Sequence, residues 1–434
     1  MKIGFLSLDH LKDWNGITRL IDRIASDMQS RGHEVTVIAL DAVASKKIPV
    51  SALAYPHTLV TFDIEKLDEA REKITASGIE ICVTSFASQS LSIMPKIFKG
   101  SGIPYIIGES FDPRILVYEW RSPYEHFKAL YSADAVQVLL PQYIEYYPEP
   151  IRKKITVIGN PVGDIADINL EARRNKESRA IICVGRFSDD EKRFSLLLRA
   201  FALLKENNDF PEWRLKLVGD GPFWDYYNML AQKLGIKKYV DFTGAVSNVN
   251  EHYESADIFC LPSRGEGFPM VLTEAAAHAL PLAGYRTCIA MDALIEPDMG
   301  VVAEHNEQGQ DTPEALAEKL RTLMQMTPEE REKIGITARN KMQAAYGDKI
   351  IFDKWEALIM KTVNDIKEYW DGLTHDSPVW TEGVLSGEDA ENAEIVRLKC
   401  EVAKLTQAHA ELWGRYNALK EQYQFLAVKK GKRR

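Results

Sequence analysis

The sequence contains no run of about eighteen consecutive apolar residues, the length that a membrane-spanning helix needs. Basic residues are also in deficit, because 54 Lys and Arg stand against 63 Asp and Glu and give a formal net charge of -9. This balance argues against broad, nonspecific binding to nucleic acid. The opening stretch MKIGFLSLDHLKD has an apolar run that is too short for a signal peptide, and it is interpreted as a first strand.

Cysteine is scarce, and its spacing shows no pairs that would suggest a disulfide framework or a metal site. Three of the cysteines lie in apolar, strand-like runs, where cysteine behaves as a small hydrophobic residue. We therefore expect reduced, structural thiols and a cytoplasmic location. The five cysteines of the chain are Cys82, Cys183, Cys260, Cys288 and Cys400.

Short apolar strands alternate with helical stretches through most of the 434 residues. A first series runs from KIGFLSL through the helical ITRLIDRIASDMQSRG and the strand HEVTVIAL to KITVIGN. A second series begins at AIICVGRF and continues through WRLKLVGDGP, YVDFTGAV and ADIFCLPS. Such alternation predicts parallel strands joined by crossover helices. The expected fold class is α/β, with two Rossmann-like doubly wound domains that face a cleft suited to small molecules.

Composition sets the predicted boundaries. The polar stretch DIADINLEARRNKESR separates the two series, and DKIIFDKWEALIMKTVNDIKEYW has the pattern of an amphipathic helix. The predicted units are an N-terminal domain (1–165), a linker (166–178), a C-terminal domain (179–345), a helix packing back on the N-terminal domain (346–371), a second linker (372–390), a coiled coil (391–428) and a basic tail (429–434).

The last helical stretch has a heptad pattern. One seam position holds Ile395, Val402, His409, Tyr416 and Tyr423, and the other holds Leu398, Leu405, Leu412, Leu419 and Leu426. The pattern predicts a coiled coil and a homodimer, with docking of this helix on its own catalytic domains as the alternative. Leucine and tyrosine on one face, followed by KKGKRR, would also suit an anionic membrane surface, so a peripheral position at the inner face of a membrane is a further expectation.

Strand ends in the second series carry residues suited to a diphosphate. AIICVGRF ends in Gly185 and Arg186, and Lys192 follows six residues later. WRLKLVGDGP ends in a turn that contains Gly219, which a simple turn explains without any function. Arg and Lys at such ends can neutralise a diphosphate, Arg as a fork of donors and Lys as a point charge.

The third strand end, SRGEGFPMVLTE, offers a helix N-terminus between two carboxylates, Glu266 and Glu274. The helix is predicted to begin near Pro269, so that free backbone N–H groups can bind a phosphate. Glu274 can then accept from a ribose diol and Glu266 from sugar hydroxyls, although a glutamate in a first helical turn also favours the helix dipole without any ligand. The residues that complete the predicted donor site here are Gly267, Phe268, Met270 and Val271.

These motifs resemble glycosyltransferase family 4, the retaining enzymes of GT-B fold. The resemblance covers residues 1–371 and is carried by VGRF with Lys192, LVGDGP, VDFTGAV, EGFPMVLTE, NGITRL, SRGHEVTVI and KKITVIGNPV. It implies an N-terminal acceptor domain, a C-terminal nucleotide-sugar domain and metal-independent transfer of a sugar with retention. It also implies that Arg186 and Lys192 stabilise the leaving diphosphate, Glu266 contacts the donor sugar and Glu274 contacts the ribose.

Two departures from the family pattern concern the first half. The loop after the first strand usually has two glycines that approach the donor, and here DWNG supplies only Gly16. Many relatives carry His-Asp after the strand that corresponds to IPYIIGES, whereas this chain has Glu109–Ser110. Glu109 is a candidate for orienting a sugar or for capping the next segment. His126 is interpreted as a surface or packing histidine.

The resemblance to bacterial polysaccharide and lipopolysaccharide transferases leads us to expect a UDP-hexose or UDP-N-acetylhexosamine donor and a glycan or lipid-linked oligosaccharide acceptor. Alternatives are a nucleotide-sugar epimerase or phosphorylase of the same fold, for which no acid–base pair or cofactor lysine is evident in the sequence. A third alternative is a degenerate transferase that acts as a coiled-coil scaffold.

Overall fold

The computed structural model describes residues 1–6, 16–40, 56–63, 65–86, 93–98, 101–118, 123–163, 168–206 and 210–372. Most of the loop after the first strand therefore lies outside the described residues. So do Cys400, almost all of the second linker, the coiled coil and the basic tail.

The N-terminal half forms a seven-stranded sheet in the order β3-β2-β1-β4-β5-β6-β7. Every neighbouring pair is parallel, for example β1 with β2, β1 with β4, and β4 with β5. Two of its apolar strands, β1 and β4, pair at the centre, where both faces are covered by helices. The strands are β1 Lys2–Leu6, β2 Glu34–Leu40, β3 Thr58–Phe62, β4 Ile81–Phe86, β5 Tyr105–Glu109, β6 Ala135–Val138 and β7 Ile155–Val157.

Six described helices belong to this half of the chain. The first of them ends at Ser30, and Gly32 follows with φ of 90°, the left-handed geometry of the predicted helix stop. A short 3₁₀ helix covers Pro141–Tyr146. The helices are α1 Gly16–Ser30, α2 Leu67–Ala76, α3 Met94–Phe98, α4 Pro113–Tyr118, α5 Pro123–Ser132 and α6 Glu149–Arg152.

The C-terminal half forms a six-stranded parallel sheet in the order β10-β9-β8-β11-β12-β13. The last two strands, like β3 of the first sheet, were not among the predicted strands, because each is a short apolar run with no distinctive period. The strands are β8 Arg179–Val184, β9 Trp213–Val218, β10 Val240–Gly244, β11 Ile258–Leu261, β12 Leu282–Tyr285 and β13 Gly300–Ala303.

The remaining helices surround the second sheet, apart from the last one. A 3₁₀ turn at Lys237–Tyr239 precedes β10. The helices are α7 Leu170–Asn175, α8 Phe194–Leu204, α9 Trp224–Lys233, α10 Asn250–Glu254, α11 Met270–Ala277, α12 Ile289–Leu294, α13 Pro313–Gln325, α14 Pro328–Tyr346 and α15 Asp348–Gly372.

The polar segment 166–178 contains helix α7. Asn169 caps this helix by accepting from the backbone N–H of Ala172 at 2.9 Å. Arg173 reaches the C-terminal half and donates to the backbone carbonyls of His278 (2.9 Å) and Ala279 (3.1 Å). This part of the segment is therefore anchored to the second sheet's domain.

The long helix α15 packs on the N-terminal half. Ile351, Trp355 and Ile359 are buried in one cluster with Phe5 and Ile24. Since the side chains of two distant chain segments share this core, their burial ties the end of the described chain to its beginning.

An ion pair strengthens the contact between α15 and the N-terminal half, with the Arg23 guanidinium 2.5 Å from the Asp348 carboxylate.

The two parallel Rossmann-like sheets confirm the expected α/β, two-sheet architecture. Among the described helices, none is both long enough and apolar enough to cross a membrane.

Candidate functional site

A cavity of about 440 Å³ lies between the two halves and is lined by residues of both. Eight residues predicted for the site line it together, namely Glu109, Arg186, Lys192, Glu266, Gly267, Phe268, Met270 and Val271. The other predicted residues, Gly16, Gly185, Gly219 and Glu274, are not among the described residues that line it. The two sheets therefore bring most of the predicted site to one place.

Lys192 and Glu266 form an ion pair at this cavity, with Nζ 2.6 Å from Oε1. They come together because Lys192 follows β8 and Glu266 follows β11, two strands that pair directly. The backbone N–H of Arg264 also donates to the Glu191 carbonyl at 2.9 Å, which fixes the two loops side by side. Burial works to lower the pKa of Lys192, but the charge of Glu266 and its hydrogen bond outweigh that effect and raise the pKa. The lysine is therefore a cation at neutral pH.

Arg186, the second predicted cation, points largely into solvent. Its side chain is 66% exposed, and Nη2 lies 3.4 Å from the Glu191 carboxylate. An exposed, singly paired guanidinium can change rotamer at little cost, since a surface pair of this kind contributes about 0–1 kcal/mol. Arg186 is thus placed at the cavity with freedom to turn toward an anion.

Helix α11 begins at the cavity wall. It starts at Met270, with Pro269 in the N-cap position, so the predicted helix start is confirmed. Pro269, Met270 and Val271 all line the cavity. The free N–H groups of a helix start carry partial positive charge and bind anions. The cavity therefore joins a helix N-terminus with the cation Lys192.

The loop that carries Glu266 is held by the N-terminal half. Tyr143 is buried, and its hydroxyl donates to the carbonyls of Glu266 (2.7 Å) and Gly267 (2.9 Å). Asn160 Nδ2 donates to the carbonyl of Phe268 at 3.3 Å. Neither residue was predicted for the site, because each is separated from the loop by more than a hundred residues. Asn160 lies in the motif KKITVIGNPV, but the motif alone does not reveal this contact. We refer to Tyr143 and Asn160 as the loop clamp.

The glycines on either side of Glu266 pack closely against the N-terminal half, and Gly267 faces its backbone. A Cβ at Gly267 would overlap the Ser110 carbonyl oxygen and lie 2.7 Å from Phe111 Cα. A Cβ at Gly265 would overlap the side chain of Ile115. The sequence analysis assigned Gly267 to the donor site. The structure shows a further reason for a glycine here, because the backbone of Ser110 and Phe111 occupies the position that a Cβ would take.

Gly219 also has a packing reason that involves no ligand. Its φ is 138°, and a Cβ there would overlap the carbonyl oxygen of Gly185. Gly185 and Gly219, two of the glycines predicted for the donor site, thus lie side by side at the ends of β8 and β9, where two backbones approach closely.

Glu274 lies in the second turn of α11. Its Oε2 accepts from the Tyr253 hydroxyl at 3.0 Å. Burial raises the pKa of Glu274, and the hydrogen bond from Tyr253 and the charges of Arg19 and Arg23 on α1 offset part of that shift. The carboxylate therefore lies where both halves influence it, one turn behind the cavity wall.

Glu109 and His126 form a buried pair that the sequence did not reveal. Glu109 ends β5 and lines the cavity, while the His126 side chain is 0% exposed, with Nε2 at 2.9 Å from Glu109 Oε2. Tyr147 donates its hydroxyl to the same oxygen at 3.0 Å. The prediction of a surface histidine was wrong and that of a packing histidine incomplete, because the 17-residue separation hides a tertiary contact.

The described residues offer no metal centre and no exposed thiol. Within them, no group of three or more His, Cys, Asp and Glu side chains is placed to hold a metal ion. Cys82, Cys183, Cys260 and Cys288 are free and buried. Burial raises the pKa of Cys288 to about 12, so this thiol stays protonated.

Two parallel Rossmann-like sheets with a shared cavity, cations and a helix N-terminus define a GT-B glycosyltransferase fold. The solved structure of HepE of Anabaena in complex with UDP is similar, with a TM-score of 0.65 and 18% identity over 86% of this chain and 100% of that one. HepE has also been solved with UDP-glucose. At this identity the likeness shows the fold.

Curated relatives agree with that class. An uncharacterized glycosyltransferase of Haemophilus influenzae is 24% identical over 379 residues, covering 82% of this chain and 99% of the relative. An alpha-1,4-N-acetyl-D-galactosaminyltransferase of Campylobacter jejuni, which acts on a saccharide linked to undecaprenol diphosphate, is 34% identical over 141 residues, covering 32% of this chain and 38% of the relative.

Residues 165–341 match the family described as Glycosyl transferases group 1. These residues belong to that family, also known as glycosyltransferase family 4, and the protein transfers a sugar from a nucleotide-sugar donor.

Proposed function

We propose that the protein moves a hexose or N-acetylhexosamine from a UDP-sugar to a glycan or lipid-linked oligosaccharide, with retention of configuration and without a metal. The observation that carries the proposal is the Lys192–Glu266 pair beside the start of α11 in the cavity. The UDP and UDP-glucose complexes of HepE support the choice of base. The lipid-linked substrate in the name of the Campylobacter jejuni relative supports the choice of acceptor.

In this proposal, negative charge grows on the diphosphate as the bond to the sugar breaks. Lys192 and the N–H groups at Met270 and Val271 stabilise that charge, and Arg186 turns inward to join them. Lys192 and the helix N–H groups are preorganised, and such donors contribute most to catalysis, since they need no rearrangement as the charge develops. Glu266, fixed by Lys192 and the loop clamp, accepts from hydroxyls of the donor sugar.

Glu274 is proposed to bind the ribose. Its Oε2 accepts from Tyr253, and its second oxygen would accept from a ribose hydroxyl. We expect Glu274→Ala to weaken donor binding by about 1.5–3 kcal/mol, the range for a hydrogen bond to a charged group. Titration calorimetry with the donor measures this, and unchanged affinity would rule out the ribose role.

An epimerase is less well supported, although a carboxylate and an imidazole do meet near the cavity. Epimerisation needs both groups beside the sugar ring. Glu109 lines the cavity, but His126 is not among the described residues that do so. Glu109 thus shields His126 from the cavity, and the arrangement favours transfer over acid–base chemistry at a ring carbon.

A donor panel tests the proposal. UDP-, GDP- and ADP-sugars are compared by thermal stabilisation and by nucleotide release in the presence of membrane extract. We expect a UDP-hexose or UDP-N-acetylhexosamine to give the largest stabilisation and the fastest release. Preference for a GDP- or ADP-sugar would overturn the choice of base. Stabilisation by no activated sugar would favour the scaffold alternative.

A further inference from the structure

Glu109 is held from behind by two side chains. Both His126 Nε2 and the Tyr147 hydroxyl contact the same carboxylate oxygen, Oε2, at 2.9 and 3.0 Å. Glu109 is 2% exposed and lines the cavity, whereas neither partner is among the described lining residues. The carboxylate is thus fixed at one oxygen by groups that a ligand in the cavity does not touch.

The two partners are themselves immobilised. Phe127 packs edge-on against the His126 ring, with centroids 6.0 Å apart, and against the Tyr147 ring at 6.3 Å. Burial raises the pKa of Tyr147 well above its ordinary value, and the negative charge of Glu109 adds to that shift, so the phenol remains a hydrogen-bond donor. The Tyr147 hydroxyl donates to Oε2, and the imidazole also donates to it in the tautomer that carries the proton on Nε2. Donors of this kind stabilise a carboxylate.

We infer that His126 and Tyr147 are positioning residues that hold Glu109 as a carboxylate facing the cavity, where it accepts a hydrogen bond from a hydroxyl of the transferred sugar. The inference rests on the proposed function, since it requires a sugar in this cavity. It assigns Glu109 to the sugar rather than to the nucleotide, because Glu109 comes from the N-terminal half, opposite the start of α11. The alternative role left open by the sequence was a cap for the following segment.

Tyr147→Phe is the most selective variant, because it removes one hydroxyl and keeps the ring. We expect it to weaken binding of the UDP-sugar selected by the donor panel about tenfold, as loss of a hydrogen bond to a charged group implies. Binding of UDP alone should change less than about twofold, since the nucleotide does not reach Glu109. Tyr105→Phe is the matched control. Its hydroxyl is also buried in the same half, where it bonds Ser132 at 2.7 Å, and neither affinity should change.

His126→Gln provides rescue. Glutamine places an N–H close to the position of the imidazole Nε2, so it should retain most of the sugar affinity, while His126→Leu should lose it. If the leucine variant does not fold, the comparison of Tyr147→Phe with its control still decides the question.

A double-mutant cycle separates positioning from general structural support. If Tyr147 acts through Glu109, Tyr147→Phe should have almost no further effect on sugar affinity in a Glu109→Gln background. Additive losses in the cycle, or equal losses for UDP and the UDP-sugar, would overturn the inference. Failure of the wild-type protein to bind any UDP-sugar would instead contradict the proposed function. The affinity for UDP alone is therefore measured for every variant, so that a failure of the inference can be told from a failure of the proposed function.

Discussion

The two halves of the molecule contribute to the cavity in different ways. The C-terminal half supplies Lys192, Glu266 and the start of α11 from the ends of β8 and β11, two strands that pair in the sheet, and local motifs mark both ends. The N-terminal half supplies Glu109 and the loop clamp of Tyr143 and Asn160, and the hydrogen bonds of the clamp cross the interface in a way that no local motif predicts. In the proposed function, the C-terminal half therefore provides the positive charge for the leaving group, and the N-terminal half holds the loop that carries part of the site in position.

The largest expected effect comes from the charge itself. Lys192→Met should lower kcat about 100- to 1,000-fold, because it removes a preorganised donor to the developing negative charge. Steady-state nucleotide release measures this. Lys341→Met is the control, since Lys341 pairs with Glu296 and Asp298 on the surface of the same half. A loss of less than about tenfold would contradict the electrostatic role of Lys192.

The close contact between the halves gives the next effect. Gly267→Ala should destabilise the protein by about 1–3 kcal/mol, because its methyl group overlaps the backbone at Ser110 and must push the halves apart. Urea denaturation measures the change. Gly185→Ala is the matched control, since a Cβ there meets the Phe194 ring at an ordinary 3.6 Å. Equal stability of the two variants would show that the interface accommodates the added methyl group without loss of stability.

The loop clamp should have a smaller effect. Tyr143→Phe removes the donor to the Glu266 and Gly267 carbonyls and should cost about 0.5–1.5 kcal/mol of donor affinity, the net contribution of a typical hydrogen bond. Tyr285→Phe removes a comparable buried hydroxyl that donates to the Thr312 carbonyl within the C-terminal half. We expect the control to change stability without changing donor affinity. If both variants bind the donor as well as the wild type, the loop does not depend on the clamp.

The smallest effect is the pH dependence that Glu274 confers. Its pKa is raised, chiefly by burial, so its contribution to stability is present below the ordinary carboxyl pKa of 4.5 and is lost as pH rises through the folded-state value. Glu274→Gln does not titrate. Its stability relative to the wild type should therefore increase between pH 4 and pH 7 when no donor is present.

Denaturation at both pH values tests this, with Glu307→Gln as an exposed control. A stability difference that falls with pH would mean that Arg19 and Arg23 outweigh burial.

Local pattern was sufficient for much of the fold. Strands such as β8 and β11 are apolar runs in a series that alternates with helical stretches, and this alternation predicted their parallel arrangement. Strands β3, β12 and β13 were missed because a short apolar run has no period that separates a strand from a buried helix segment. The charged segment 166–178 resembled a linker, since hydrogen bonds from Arg173 to distant carbonyls leave no trace in composition.

The sequence by itself determined the two-sheet α/β fold and the residues at the strand ends of the C-terminal half. It could do so because the carboxyl ends of parallel strands all lie at the same edge of a sheet, so motifs that follow different strands come to the same side of the domain. Only the tertiary structure decided that Lys192 pairs with Glu266, that Glu109 is held by His126 and Tyr147, and that Gly267 accommodates the opposing backbone. Such contacts depend on how two separately folded halves meet, and that geometry is set by packing over the whole interface rather than by any local pattern.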